Sequence, residues 1–92
     1  MLLEAITDGS TTGTGAFELH SYLFGGVLIT ADGANDATVI VRRNDAAGKQ
    51  IFNLVTKTAG LIAAPISTEG TRILYYSISG TGAAAQFYEW TV

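Results

Sequence analysis

Residues 37–56 read Ala37-Thr38-Val39-Ile40-Val41-Arg42-Arg43, then Asn44-Asp45-Ala46-Ala47-Gly48-Lys49, then Gln50-Ile51-Phe52-Asn53-Leu54-Val55-Thr56. Two runs rich in β-branched and aromatic residues flank a short polar segment that contains a glycine. Such residues favour the pleated, half-buried surface of a strand. A glycine-containing loop between two such runs marks a β-hairpin. In the first run, alternation sets Val39 and Val41 against Thr38, Ile40 and Arg42. The spacing therefore predicts two antiparallel strands, Ala37 to Arg43 and Gln50 to Thr56.

The same pattern continues on both sides of the hairpin. Upstream, Leu2 to Ile6 is a short strand stopped by Asp8-Gly9-Ser10, and Ser10 to Gly15 is a small, polar loop. Ala16 to Tyr22 alternates, with Phe17 and Leu19 on one side and Glu18 and His20 on the other. Gly25-Gly26 breaks or bulges the chain. Val27 to Ala31 is a short apolar strand that ends at the turn signal Asp32-Gly33. Downstream, Leu61 to Ile66 is a strand that Pro65 confines to an edge or a strand end. Thr71 to Ser79 is the longest alternating run, with Arg72, Leu74, Tyr76 and Ile78 on one face. After Gly80-Thr81-Gly82, Ala84 to Val92 closes the chain, with Tyr88, Trp90 and Val92 opposed to Phe87 and Glu89. No segment holds a 3.6-residue apolar period over helical length. The expected fold is all-β: one domain over residues 1–92, an antiparallel β-sandwich or small barrel of about eight short strands.

Composition narrows the partners. The chain has 92 residues, 48 % of them hydrophobic and only 14 % charged, with a net charge of −3. Average domains carry about 25 % charged residues. A shortage of charge without a shortage of apolar residues argues against disorder and suggests a surface covered by other subunits. The basic residues are Arg42, Arg43, Lys49, Lys57 and Arg72. Alternation sends Arg42 and Arg43 to opposite faces, so no basic patch forms to release counterions from phosphates, and nucleic acid is not an expected partner. No cysteine is present, which excludes disulfides, thiolate metal sites and thiol nucleophiles. No apolar stretch approaches the roughly twenty residues of a membrane helix. No secretory signal is visible after Met1, so no membrane partner is expected and the chain is expected to be made and kept in the cytoplasm.

The motifs that could carry chemistry fail on a missing residue or spacing. Gly13-Thr14-Gly15 has Glu18 where a dinucleotide fingerprint needs its third glycine, and Gly48-Lys49 is followed by Gln50 where a phosphate loop needs Ser or Thr. His20 is the one histidine that a Ser–His–Asp system or a zinc site could use, and a strand-face hydrogen bond or interface contact is its expected role. The carboxylates Glu4, Asp8, Glu18, Asp32, Asp36, Asp45, Glu69 and Glu89 fall mostly in turns, and nothing sets two of them at glycosidase separation. Asp32-Gly33-Ala34-Asn35-Asp36 is expected to be a plain Asx-type turn; it offers several oxygen ligands for calcium as the alternative, but the EF-hand pattern is absent. No catalytic residue, cofactor or metal site is assigned, and no enzymatic activity is expected.

Candidate interface residues remain. Tyr75, Tyr76, Tyr88 and Trp90 cluster in the last two runs, and if those strands pair, one face carries several large aromatics. Tyr and Trp anchor interfaces and stack on sugars, with core packing the alternative for much of the cluster. Met1, Leu2 and Leu3 form an apolar end that is expected to dock as an edge strand, in its own sheet or a neighbour's.

Two stretches resemble small structural proteins of tailed-bacteriophage virions. One is Gly26-Val27-Leu28-Ile29-Thr30-Ala31-Asp32-Gly33 continuing through Ala37-Thr38-Val39-Ile40-Val41-Arg42. The other is Tyr76-Ser77-Ile78-Ser79-Gly80-Thr81-Gly82-Ala83 running into Gln86-Phe87-Tyr88-Glu89-Trp90. The resemblance implies a role by contact: a head decoration (cement) protein, a head–tail connector piece or a small tail protein. A decoration protein on the outer surface of a phage head would be a homo-oligomer, with a trimer favoured. Its partners would be the major capsid protein or other virion proteins, and its location the virion, assembled in the host cytoplasm. The alternatives are a neck, tail or fibre component, and a carbohydrate-binding β-sandwich. No functional residue carries over from the resemblance.

Overall fold

The hairpin at residues 37–56 is the tip around which the chain folds. A computed structural model describes residues 2–91, so Met1 and Val92 lie outside the described residues. Eight strands run in chain order: β1 (Leu2–Ala5), β2 (Gly13–Glu18), β3 (Leu23–Thr30), β4 (Ala37–Arg43), β5 (Gln50–Thr56), β6 (Gly60–Ser67), β7 (Ile73–Ser79) and β8 (Ala84–Thr91). β4 pairs with β5, β3 with β6, β2 with β7 and β1 with β8, all antiparallel. The chain is thus one long hairpin, bent over so that alternate strand pairs fall in opposite layers. Contacts between β3 and β8, and between β4 and β7, complete two four-stranded sheets of order β1-β8-β3-β6 and β2-β7-β4-β5. This is the strand order of a jelly roll, an eight-stranded form of the β-sandwich.

Alternation along each strand supplies the core. Phe17, Leu19, Phe24, Val27, Ile29, Val39, Val41, Leu74, Ile78 and Phe87 are buried between the sheets. The Phe17 and Phe87 rings stack with centroids 4.8 Å apart, and Phe52 meets Phe24 edge-on at 5.7 Å. Such aromatic pairs add to what area burial alone contributes.

Gly25-Gly26 bulges β3 without ending it, so this strand runs from Leu23, four residues before its expected start. Phe24 faces Glu89 of β8 and Gly26 faces Tyr88, so one extra residue of β3 sits between them. The insertion flips the side-chain parity and lets Phe24 point inward together with Val27 and Ile29. Only glycine fits here. A Cβ on Gly26 would lie 2.0 Å from the Ile62 carbonyl oxygen, at a φ of 116°. One on Gly25 would lie 2.6 Å from Leu3 Cδ1.

Three expectations need correction. The strand expected over Ala16 to Tyr22 ends at Glu18, because residues 19–22 turn to carry the chain into the other sheet. Gly13 to Gly15, expected in a loop, open that strand. The last two strands do not pair: β7 and β8 lie in different sheets, so Tyr75, Tyr76, Tyr88 and Trp90 form no common face. Other expectations hold. β1 pairs with β8 in its own sheet and forms an edge, and β6, which contains Pro65, is the opposite edge.

Candidate functional site

The buried polar chemistry gathers where β2 turns into β3. Ala85, Phe87 and Glu89 share the inward face of β8, and Glu89 is 1 % exposed. A carboxylate in that position must be met by donors. The turn at residues 19–22 supplies them. Oε1 accepts the backbone N–H of His20 at 2.8 Å and that of Ser21 at 3.0 Å. Oε2 lies 2.7 Å from His20 Nδ1. Ser21 Oγ lies 3.2 Å from Oε1 and 2.8 Å from the Trp90 carbonyl, and its single proton serves one of them at a time. One carboxylate thereby fastens the crossover between the two sheets.

These contacts set the ionisation of both partners. For Glu89, burial is the largest single influence and pushes the carboxyl up. The donors from His20 and Ser21 together outweigh it and hold the group below the usual glutamate value. For His20, the hydrogen bond it donates to Glu89 is the largest cause and the charge of Glu89 the next, and the imidazole is raised above 6.5. Glu4 and Glu18 push in the same direction through space. The His20 side chain is 85 % exposed, so the pair joins a buried acid to a solvent-facing base. An open concavity of about 620 Å³ lies beside it, lined by His20, Ser21, Tyr22, Leu23 and Thr91.

This arrangement is a clasp. His20 and Ser21 both turn to the same carboxylate, and Ser21 Oγ has Glu89 and Trp90 as its partners, so no Ser–His–acid relay is assembled. Nothing in the sequence places His20 beside Glu89, 69 residues away. The one local signal is that Glu89 alternates in step with Phe87, which puts a carboxylate on a core face.

Elsewhere the polar clusters close on themselves. Asp32 Oδ1 accepts the backbone N–H groups of Ala34 at 2.8 Å and Asn35 at 2.7 Å, and Oδ2 accepts Asn35 Nδ2 at 2.7 Å. The bonds from Asn35, backbone first, hold the Asp32 carboxyl below its ordinary value. The loop is thus the Asx turn expected of it, with its own donors to Asp32. Among the described residues, no group of three or more His, Cys, Asp and Glu side chains could hold a metal ion. At the end of the sandwich that carries the clasp, Glu69 bridges Arg43 at 3.2 Å and Lys49 at 3.1 Å. The Arg43 Nε–H also donates to the Thr68 carbonyl at 3.0 Å. Thr68 is buried, and its N–H donates to the Tyr22 carbonyl at 3.0 Å, tying the turn at 68–72 to the one at 19–22.

The candidate interface residues separate. Tyr76 points into the core, its ring 5.2 Å from Phe87 and 6.1 Å from Phe17. Tyr75 lies on the outer face of the second sheet, opposite Arg42 and Ala16. Tyr88 and Trp90 stay together on the outer face of the first sheet, where Leu3 pairs with Trp90. Leu2 is exposed at the edge of that sheet. Leu28 and Leu61, which sequence reasoning did not single out, are cross-strand partners on the same outer face, 37 % and 51 % exposed. Among the described residues, the strands of the first sheet hold only two charged side chains, Glu4 and Glu89, and they are paired across β1 and β8 with Glu89 turned inward. Among the described residues its outer face therefore carries no charged side chain. The outer face of the second sheet, by contrast, bears Glu18 and Arg42.

No protein-family model, curated protein or solved structure matches the chain.

Proposed function

We propose that this chain is a structural subunit that acts by contact: a decoration protein on the outer surface of a tailed-phage head, held as a homo-oligomer. The observation that carries the reading is the charge-free outer face of the β1-β8-β3-β6 sheet, with exposed Leu28 and Leu61 beside Leu3, Tyr88 and Trp90. Exposed apolar patches of this kind mark interaction surfaces. The jelly roll itself recurs in viral capsid and lectin domains. The two stretches that resemble virion proteins fall largely on β3, β4, β7 and β8, the central strands of the two sheets.

Quantitative mass spectrometry of purified particles tests the proposal. Hundreds of copies per particle are expected of a decoration protein. A few copies per particle would favour a neck, tail or fibre position instead, and absence from particles overturns the virion assignment. A carbohydrate-binding reading keeps one observation in its favour, the placement of Tyr88 and Trp90 two residues apart on one face. Glycan-array binding that Trp90→Ala abolishes would replace the structural reading with that one.

A further inference from the structure

We infer that the outer face of the β1-β8-β3-β6 sheet is a contact between two copies of this chain, related by a two-fold axis. The inference rests on the proposed contact function and names the partner of that surface. In a two-fold contact the same patch meets itself, so a charge near the axis faces its own kind and a patch of one sign repels itself. This face is free of that penalty. The strands that build it hold two charges among their residues, and the buried one, Glu89, is spent on the 19–22 turn while Glu4 pairs with it from the same side of β1. A capsid surface or another protein would impose no such requirement, and a face tuned to one often carries a complementary charge.

The dimensions suit a small dimer. β1 has four residues and β3, β6 and β8 eight each; with strands about 4.8 Å apart and a rise of about 3.3 Å per residue, their outline covers about 440 Å² per copy. Two copies meeting over that outline bury about 900 Å², the low end for a specific interface, so the contact is of the weak, reversible kind. The anchors are of the type that carries such contacts. Trp90 and Tyr88 stand on β8, and the Leu28–Leu61 pair stands beside them. The indole Nε1–H of Trp90 is enclosed without an acceptor among the described residues.

Sedimentation velocity of the full chain at tens of micromolar tests this, with Leu28→Glu, Leu61→Glu and Val55→Glu as variants. Leu28 and Leu61 point away from the core, so a charge at either leaves folding intact, which circular dichroism checks. Val55 is exposed on β5 in the other sheet and serves as the control. The expected result is a dimer of the 9.6 kDa chain for wild type and Val55→Glu, and at least tenfold weaker association for Leu28→Glu and Leu61→Glu. A wild-type monomer or trimer overturns the two-fold contact. So does a dimer that both leucine variants leave unchanged. In any of those cases high copy number in purified particles would still uphold the contact function, so the two failures are separable.

Discussion

Replacing Glu89 tests the clasp most directly. Glu89→Ala strips the acceptor from two backbone N–H groups, those of His20 and Ser21, held at 2.8 and 3.0 Å. It also leaves a void beneath the turn. Hydrogen bonds to a charged group contribute roughly 1.5–3 kcal/mol each, so orphaning the two backbone donors accounts for about 3–5 kcal/mol, while His20, 85 % exposed, is left in water. A chain of this length is stable by about 5–14 kcal/mol, so the variant should lose about 3–5 kcal/mol. At about 4–8 °C per kcal/mol for a small domain, the melting temperature should fall by at least about 12 °C. Glu89→Gln is the informative companion. Its amide oxygen can keep both backbone N–H groups, and its NH₂ can donate to His20 Nδ1 when the ring is neutral. Above the imidazole's raised titration range the Gln variant should therefore lose much less than the Ala variant. Below it, the protonated ring and the amide NH₂ are both donors, and the gap between wild type and Gln should widen. Urea unfolding of the three proteins across pH measures this. A loss below about 1 kcal/mol for Glu89→Ala, or equal losses for Ala and Gln at high pH, would refute the account of Glu89 as the acceptor that closes the turn.

The remaining predictions address the pair, the bulge and the core. His20 is raised in the folded state, so its contribution is complete below pH 6.5 and disappears as pH rises through the raised value. Glu89 is lowered, so its contribution is complete above 4.5 and disappears as pH falls through the lowered value. The stability difference between wild type and His20→Gln should thus peak between these limits and vanish at alkaline pH; a pH-independent difference in melting temperature counts against the pair. Gly26→Ala combines a disallowed φ with a collision against the Ile62 carbonyl and should cost at least about 2 kcal/mol. Gly33→Ala, at a φ of 87° with nothing within 4 Å, should cost about 1 kcal/mol. Equal chemical-denaturation midpoints for the two would show that the close approach is unimportant. Phe87→Ala removes the ring that stacks on Phe17 and should lose about 3–5 kcal/mol by the same measurement.

What the sequence made legible is local. The β4–β5 hairpin, the edge position of β6 and the alternation of β8 all follow from runs of a few residues and the turns between them. What it concealed is which surface lies opposite which. Gly80 to Ala83 carries an ordinary tight-turn signal, and the Ala83 N–H does bond the Gly80 carbonyl at 3.2 Å. A hairpin would set β7 and β8 side by side. Here the turn lifts the chain from one sheet to the other, so Tyr76 and Phe87 meet across the core with their rings tilted and 5.2 Å apart. Both outcomes satisfy the same alternation, because each strand buries every second residue either way. The same ambiguity hid the clasp. Glu89 in step with Phe87 announces a buried acid, but its donors come from a turn that long-range wrapping, and no local rule, brings beneath it.

The two features argued above meet on β8. Its inward residues close the sandwich through Phe87 and Glu89, and its outward residues, Gln86, Tyr88 and Trp90, form the middle of the uncharged face. Ser21 links them, since its hydroxyl reaches both Glu89 and the Trp90 carbonyl. Loosening the turn should therefore free the end of β8 and with it the position of Trp90. Glu89→Ala is expected to weaken association as well as folding, under conditions where circular dichroism still reports a folded chain. Glu89→Gln, which keeps the backbone acceptor, should weaken association little at alkaline pH. If association by sedimentation is unchanged in Glu89→Ala, the clasp and the face are independent, and Trp90 is held by its own strand pairing with Leu3.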